Sequence, residues 1–173
     1  MYLSSGGPSV RRGRLPPGTA GTRVTLDMMR ALARKGGQDV AVRERALAIL
    51  RAAGVAGHDF AGEVRALFSW VRDRVRFVRD PAGVEWLQAP RYTLERGYGD
   101  CDDKATALAA MLLAVGHPAA LRLRAVGFRS GTLSHVYVLA KLAGRWVPLD
   151  PTWAGTPFGE APPGVRSALE VAV

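Results

Sequence analysis

The order of its hydrophobic periods predicts that this chain is an α+β domain, in which N-terminal helices and a central helix pack on a small antiparallel β-sheet. Apolar residues recur at intervals of three and four up to about residue 115 and at intervals of two from about residue 119. Helical segments therefore come first and strand-like segments afterwards, unlike the alternation that builds a parallel α/β sheet. The 173 residues, 48% of them hydrophobic, suit one domain with a substantial core, and no internal repeat divides it.

Residues 1 to about 22 are rich in Gly, Pro, Ser and Arg, contain Arg11, Arg12 and Arg14, and contain no acid. They read as an extended or disordered basic arm ahead of a domain at 23–173. The first helix covers about residues 25–35, with Leu26, Met29, Leu32 and Ala33 on one face and Gly36-Gly37 as its stop. The second starts at Asp39 as N-cap, carries Val42, Ala46, Leu47, Leu50 and Ala53, and closes at Gly54. The third starts near Asp59, with Phe60, Val64, Leu67, Phe68 and Val71 as its apolar stripe and Arg65, Arg72 and Asp73 facing outward. Residues 75–78 read equally as its last turn or as a short strand.

Asp80-Pro81-Ala82-Gly83 reads as a turn, and residues 84–98 as an aromatic-rich loop holding Trp86, Gln88, Pro90, Tyr92 and Tyr98. The central helix runs from about Cys101 to Val115. Ala105, Leu108, Leu112 and Val115 mark its face, Gly116 is the C′ residue and Pro118 prevents continuation. Residues 119–128 then alternate, with Leu121 and Leu123 inward and Arg122 and Arg124 outward. A second strand covers 134–142 and a third 145–149. The short Ala143-Gly144 link makes these two an antiparallel hairpin. The tail from Asp150, rich in Pro and Gly, reads as irregular.

Lys and Arg total 24 against 15 Asp and Glu, for a net charge of +9, and the cations are Arg except Lys35, Lys104 and Lys141. Such a surface attracts nucleic acid, anionic cell-wall polymer or an acidic protein. Nucleic acid is disfavoured, because the basic residues are dispersed and no zinc-finger spacing or RNA-binding aromatic motif accompanies them. No apolar run approaches the ~18–20 residues of a membrane span, and the first 17 residues lack the apolar middle of a signal peptide. A single free cysteine suits a reducing compartment. The expected location is the cytoplasm, or a virion if the protein is phage-derived.

That cysteine, Cys101, opens the central helix behind Asp100, a good N-cap. Unsatisfied N–H groups and the helix dipole favour a thiolate in this first turn. Asp100, Asp102 and Asp103 oppose it, since nearby carboxylates raise a thiol's pKa. Their reading is structural, with Asp100 capping the helix and Asp103 closing a capping-box-like contact. His135 begins a strand, and alternation puts it with Tyr137 on the face opposite Val136 and Val138. His58, near a helix start, and His117, between a helix-ending Gly and a Pro, are less suitable as bases. Asp150 ends the third strand. The hairpin carries it back beside His135, where it is expected to accept the Nδ1–H and fix the tautomer. A nucleophile, a base and an orienter thus follow in order, and the Cys101 N–H offers one oxyanion donor.

Gly99-Asp100-Cys101-Asp102-Asp103-Lys104-Ala105, followed by Leu108, Leu112, Gly116 and Pro118-Ala119, resembles the nucleophile helix of the transglutaminase-like superfamily. Ser134-His135-Val136-Tyr137-Val138 resembles its His strand, and the run from Gly144 through Trp146, Pro148 and Asp150 to Thr152 its Asp strand. The likeness covers about residues 60–155, and its specificity lies in the combination of three spaced motifs. Asp80-Pro81 and the run from Glu85 through Trp86 and Gln88 to Pro90 are similar to small bacteriophage and prophage members. Tyr137 stands where many members carry Trp, and His117 where many carry a β-branched residue.

The resemblance implies a papain-like fold and a Cys101–His135–Asp150 thiol site that cleaves or transfers acyl groups on amides, without metal or organic cofactor. It also suggests Gln88 as a side-chain oxyanion donor, against the plainer reading of a polar loop residue. Trp86, Tyr98 and Trp153 flank the motifs and are candidates for a substrate groove, or for core and lid packing. The expected activity is that of a cysteine peptidase or amidase on a protein or peptide, with transfer to an amine as a variant. The alternative from another class is a non-enzymatic phage structural or assembly protein, its basic arm an interaction segment with virion or cell-wall components.

Overall fold

The computed structural model describes residues 14–81, 85–117 and 120–173. Arg11 and Arg12 of the expected arm, Ala82 and Gly83 of the expected turn, and the Pro118-Ala119 pair lie outside them. Helix α1 spans Gly18–Gly37, α2 Val40–Ala52 and α3 Phe60–Arg74. Strand β1 is Arg76–Phe77, helix α4 Pro90–Arg96 and strand β2 Tyr98–Gly99. Helix α5 spans Cys101–Ala114, and the strands β3 Leu121–Gly127, β4 His135–Leu142, β5 Arg145–Leu149 and β6 Ser167–Ala172 follow. The α+β class is as the sequence predicts.

Caps place the helices where the sequence puts them. Asp39 accepts the Ala41 N–H at 2.8 Å, and Asp59 accepts that of Gly62 at 2.9 Å. Helix α1 differs. It begins at Gly18, directly after an extended Pro17, so the last residues of the expected arm are helical. The low helix propensity of Gly-Thr-Ala-Gly-Thr is overridden by packing, since Gly21 and Thr25 are both buried. The glycines at its other end serve close approach. A Cβ on Gly36 would sit 2.6 Å from Pro90 Cγ, and one on Gly37 2.7 Å from Leu113 Cβ.

The ambiguous segment after α3 is a strand, with β1 pairing in parallel with β2. The expected 84–98 loop contains α4, with Pro90 at its start and Gly97 at φ +69° as its left-handed end. Both signals are in the sequence, but seven residues show too little periodicity to announce a helix.

The four-stranded sheet has the order β5-β4-β3-β6, with every neighbouring pair antiparallel. The predicted hairpin is β4–β5, turned by Ala143 at φ +46° and Gly144 at φ +80°, a pair of left-handed residues that suits a two-residue hairpin. Strand β6 lies in the tail expected to be irregular. Ser-Ala-Leu-Glu-Val-Ala has little intrinsic strand preference. It is drawn into the sheet by β3, whose Arg122 and Arg124 both pair with Glu170 at 2.8 and 2.7 Å.

Helix α5 is the centre of the domain. Every residue from Asp103 to Leu112 is buried, as befits a helix packed by α1, α2, α3 and α4 and by β4. Leu121, Leu123, Val136 and Val138 face this core. Val126, Tyr137 and Leu139 form a smaller cluster on the opposite face with Trp146 and Val165, so the predicted alternation holds.

Candidate active site

Cys101 is the first residue of α5, and its N-terminus is built by local contacts. Asp100 Oδ1 accepts the N–H groups of Asp102 and Asp103 at 3.0 and 3.2 Å, the capping the sequence predicts. Asp103 does not turn back to close a capping box. Its two oxygens accept the backbone N–H and the Nε2–H of Gln88 at 2.7 and 2.6 Å. The strand–helix junction is tight enough that a Cβ on Gly99 would lie 2.5 Å from Asp103 Cβ. Gln88 is therefore spent on fastening this junction, its amide reaching the Tyr98 carbonyl at 3.5 Å as well, and it is absent from the lining of the cavity around Cys101. The expectation that it donates to an oxyanion is not met.

His135 and Asp150 meet as the hairpin demands. Leu149 pairs with Val138. One further step puts Asp150 across from Tyr137, with His135 as its diagonal neighbour on the same face. His135 Nε2 lies 2.7 Å from Asp150 Oδ2, and both side chains are nearly buried, 10% and 4% exposed. Asp150 Oδ1 accepts the Thr152 N–H at 3.1 Å. Burial works to raise the Asp150 carboxyl. The hydrogen bond and charge of His135, with Thr152, outweigh it and hold the group below the usual carboxylate range. An ionised Asp150 can only accept, so the ring donates from Nε2. The contact expected at Nδ1 is thus made by the other nitrogen. Phe128 stacks on His135 with centroids 6.4 Å apart.

Cys101 and His135 line one cavity of about 380 Å³, together with Glu85, Asp100, Asp102 and Val136. The half-buried thiol donates to Asp102 Oδ1 at 3.4 Å. Burial, then the charges of Asp102 and Asp100, push the thiol well above its ordinary pKa, while the Val136 N–H beside the sulfur works the other way. Asp102 is itself raised well above the carboxylate range by burial and by its hydrogen-bonded neighbour Glu85. Burial likewise lifts Asp100 to about 6. Asp100, Cys101 and Asp102 offer ligand atoms within 4.8 Å of one another, but the Asp100 oxygen is engaged by the helix N–H groups and Asp102 by the thiol.

Of the other expected groove residues, Trp153 lines the cavity, half exposed and packed on Phe77 with centroids 4.6 Å apart. Trp86 is 51% exposed and, like Tyr98, is not part of that lining. Sequence reasoning missed Glu85 and the start of α1, where Gly18, Gly21 and Thr22 form one wall of the cavity. Glu85 lay inside a quoted motif, whereas nothing local marks the α1 residues. Among the described residues, no helix is long and apolar enough to cross a membrane.

Residues 56–151 match the family model of the transglutaminase-like superfamily. No curated protein matches the chain significantly. Among solved structures, a candidate protease from Parabacteroides distasonis ATCC 8503 aligns with a TM-score of 0.56 at 15% identity, over 82% of this chain and 31% of its own. A candidate cysteine protease from Cytophaga hutchinsonii aligns with a TM-score of 0.49 at 16% identity, over 76% of this chain and 48% of its own. The likeness is one of fold, and the chain spans less than half the length of either protein. The family model carries the superfamily and not the narrower phage group.

Proposed function

Because the chain belongs to the transglutaminase-like superfamily, we propose that it is a cysteine hydrolase of amide or peptide bonds, with Cys101 as nucleophile, His135 as base and acid, and Asp150 as orienter. The observation that carries this reading is the sharing of one cavity by Cys101 and His135, with Asp150 2.7 Å behind the ring.

The resting sulfur is a neutral thiol, because burial and its acidic neighbours oppose the thiolate. Its proton passes to His135 Nδ1 as the sulfur attacks the amide carbonyl, and Asp150 stabilises the imidazolium that forms. The carbonyl π pair moves onto oxygen. The Cys101 N–H supports that oxyanion, since Asp100 Oδ1 occupies the two amides that follow and not this one. His135 returns the proton to the leaving amine as the C–N bond breaks, which leaves a thioester. Water, deprotonated by His135, then releases the acid and restores the thiol. Trp153 and Phe77 offer an apolar wall for a substrate side chain. An amine in place of water would give acyl transfer from the same thioester.

The test is a pooled library of fluorogenic peptide amides, together with iodoacetamide labelling of Cys101 across pH. Turnover should disappear in Cys101→Ala, and labelling at neutral pH should fall in His135→Ala. Turnover that survives Cys101→Ala, or labelling profiles that coincide with and without His135, would refute the proposal.

A further inference from the structure

We propose that Lys104, which no step of this chemistry uses, is a positioning residue. Its ammonium ties the helix that carries Cys101 to the loop that holds Asp150 against His135. The inference rests on the triad proposed above and adds to it a fourth residue.

Lys104 lies one turn after Cys101 and is 1% exposed. Its Nζ donates to the Val75 carbonyl at 2.6 Å, the Thr152 carbonyl at 3.2 Å and the Arg72 carbonyl at 3.3 Å. An ammonium has three N–H groups and no acceptor, so three carbonyls match the charged form, whereas a neutral amine would leave one carbonyl without its donor. Two of the carbonyls belong to the C-terminal end of α3. There the helix leaves acceptors unpaired and its dipole favours a cation. Arg72 O is free for this role because the Arg76 N–H turns instead to Gly97 O, at 2.8 Å.

The third carbonyl gives the arrangement its bearing on the site. The Thr152 C=O is held by Lys104 and the Thr152 N–H donates to Asp150 Oδ1, while Asp150 Oδ2 accepts from His135. One residue thus connects nucleophile helix and acid loop through a single threonine backbone. Arg72 braces the same loop from α3, its guanidinium donating to Thr156 O at 2.8 Å. A purely structural plug would not need the charge. Burial pulls Lys104 down to about 8 against the support of Asp150 and Asp73, and an apolar side chain commonly serves stability as well as a buried cation.

The test compares Lys104→Met with the parent protein, with Asp150→Asn and with the double variant, by iodoacetamide labelling of Cys101 from pH 6 to 9 and by thermal melting. Lys104→Met should melt cooperatively and yet label about tenfold more slowly at neutral pH, with the profile of Asp150→Asn. The double variant should be no slower than either single one, as expected for residues acting through one path. Lys104→Arg should restore part of the rate. Where the methionine variant does not fold, Lys104→Gln, which keeps two N–H donors, replaces it. If the Lys104 variant labels like the parent while Asp150→Asn does not, Lys104 has no positioning role. If neither Asp150→Asn nor His135→Ala changes the profile, the triad itself is refuted and this inference goes with it.

Discussion

Replacing Asp150 by Asn preserves the outline of the side chain and removes the charge that His135 faces. The Nε2–Oδ2 separation of 2.7 Å and the burial of both groups make this a charge-assisted hydrogen bond shielded from solvent. Such bonds contribute about 1.5–3 kcal/mol. Asn can also present its amide to the ring, so the hydrogen bond is exchanged and the larger cost of leaving a buried partner without one does not apply. At about 2–4 °C per kcal/mol for a domain of this size, Asp150→Asn should melt about 3–12 °C below the parent at neutral pH. The pH dependence has a definite sign. The folded protein holds the Asp150 carboxyl below its usual range, so the unfolded chain binds this proton more readily. The stabilisation is complete above the ordinary carboxylate value near ~4 and disappears as pH falls through the folded-state value. Melting curves of parent and variant, followed by circular dichroism from neutral pH towards pH 2, should therefore converge on acidification. A gap of less than about 1 °C at neutral pH, or one that persists unchanged in acid, would refute the assignment of this pair.

Two further outcomes follow from other parts of the structure. Asp102→Asn replaces a carboxyl that accepts from the Cys101 thiol and opposes the thiolate once it ionises. Burial and Glu85 hold that carboxyl protonated well above the usual carboxylate range, so iodoacetamide labelling should change little at neutral pH and should exceed the parent's only on the alkaline side. Profiles that coincide at every pH would mean that Asp102 does not govern the thiol. In the β4–β5 hairpin, Ala143 adopts φ +46°, a conformation that costs an L-residue about 1–2 kcal/mol. Ala143→Gly relieves it at the expense of about 0.4–1 kcal/mol of unfolded-state freedom. The variant should be more stable by roughly 0.5–1 kcal/mol, visible as a higher melting temperature, and a lower one would overturn this account of the turn.

Local chemistry explains which parts of the site could be read from the chain. Cys101 at a helix N-terminus follows from Asp100 and the apolar spacing behind it, and the structure caps that helix as expected. The nearness of His135 and Asp150 follows from two short strands joined by Ala143-Gly144, because a two-residue turn leaves no other register. The nitrogen that meets Asp150 did not follow. It depends on how the imidazole is turned about its side-chain torsions, which neighbours distant in the chain decide. Gln88 shows the same limit. As a polar residue upstream of the cysteine it could point to an oxyanion or to a carboxylate, and only the packing of Gly99 against Asp103 brings the carboxylate within reach.

The amino-acid sequence by itself determined the α+β order, the capped helix that presents Cys101 and the hairpin that joins His135 to Asp150. Each of these is set by residues close together in the chain. Tertiary structure alone decided the early start of α1, the strand in the Ala- and Glu-containing tail, the wall that α1 lends to the cavity and the path of Lys104 through the core. These depend on groups far apart in sequence, where burial and hydrogen-bond satisfaction outweigh local preference. A lysine whose ammonium seeks three carbonyls can find them only once α3, α5 and the loop after β5 have come together.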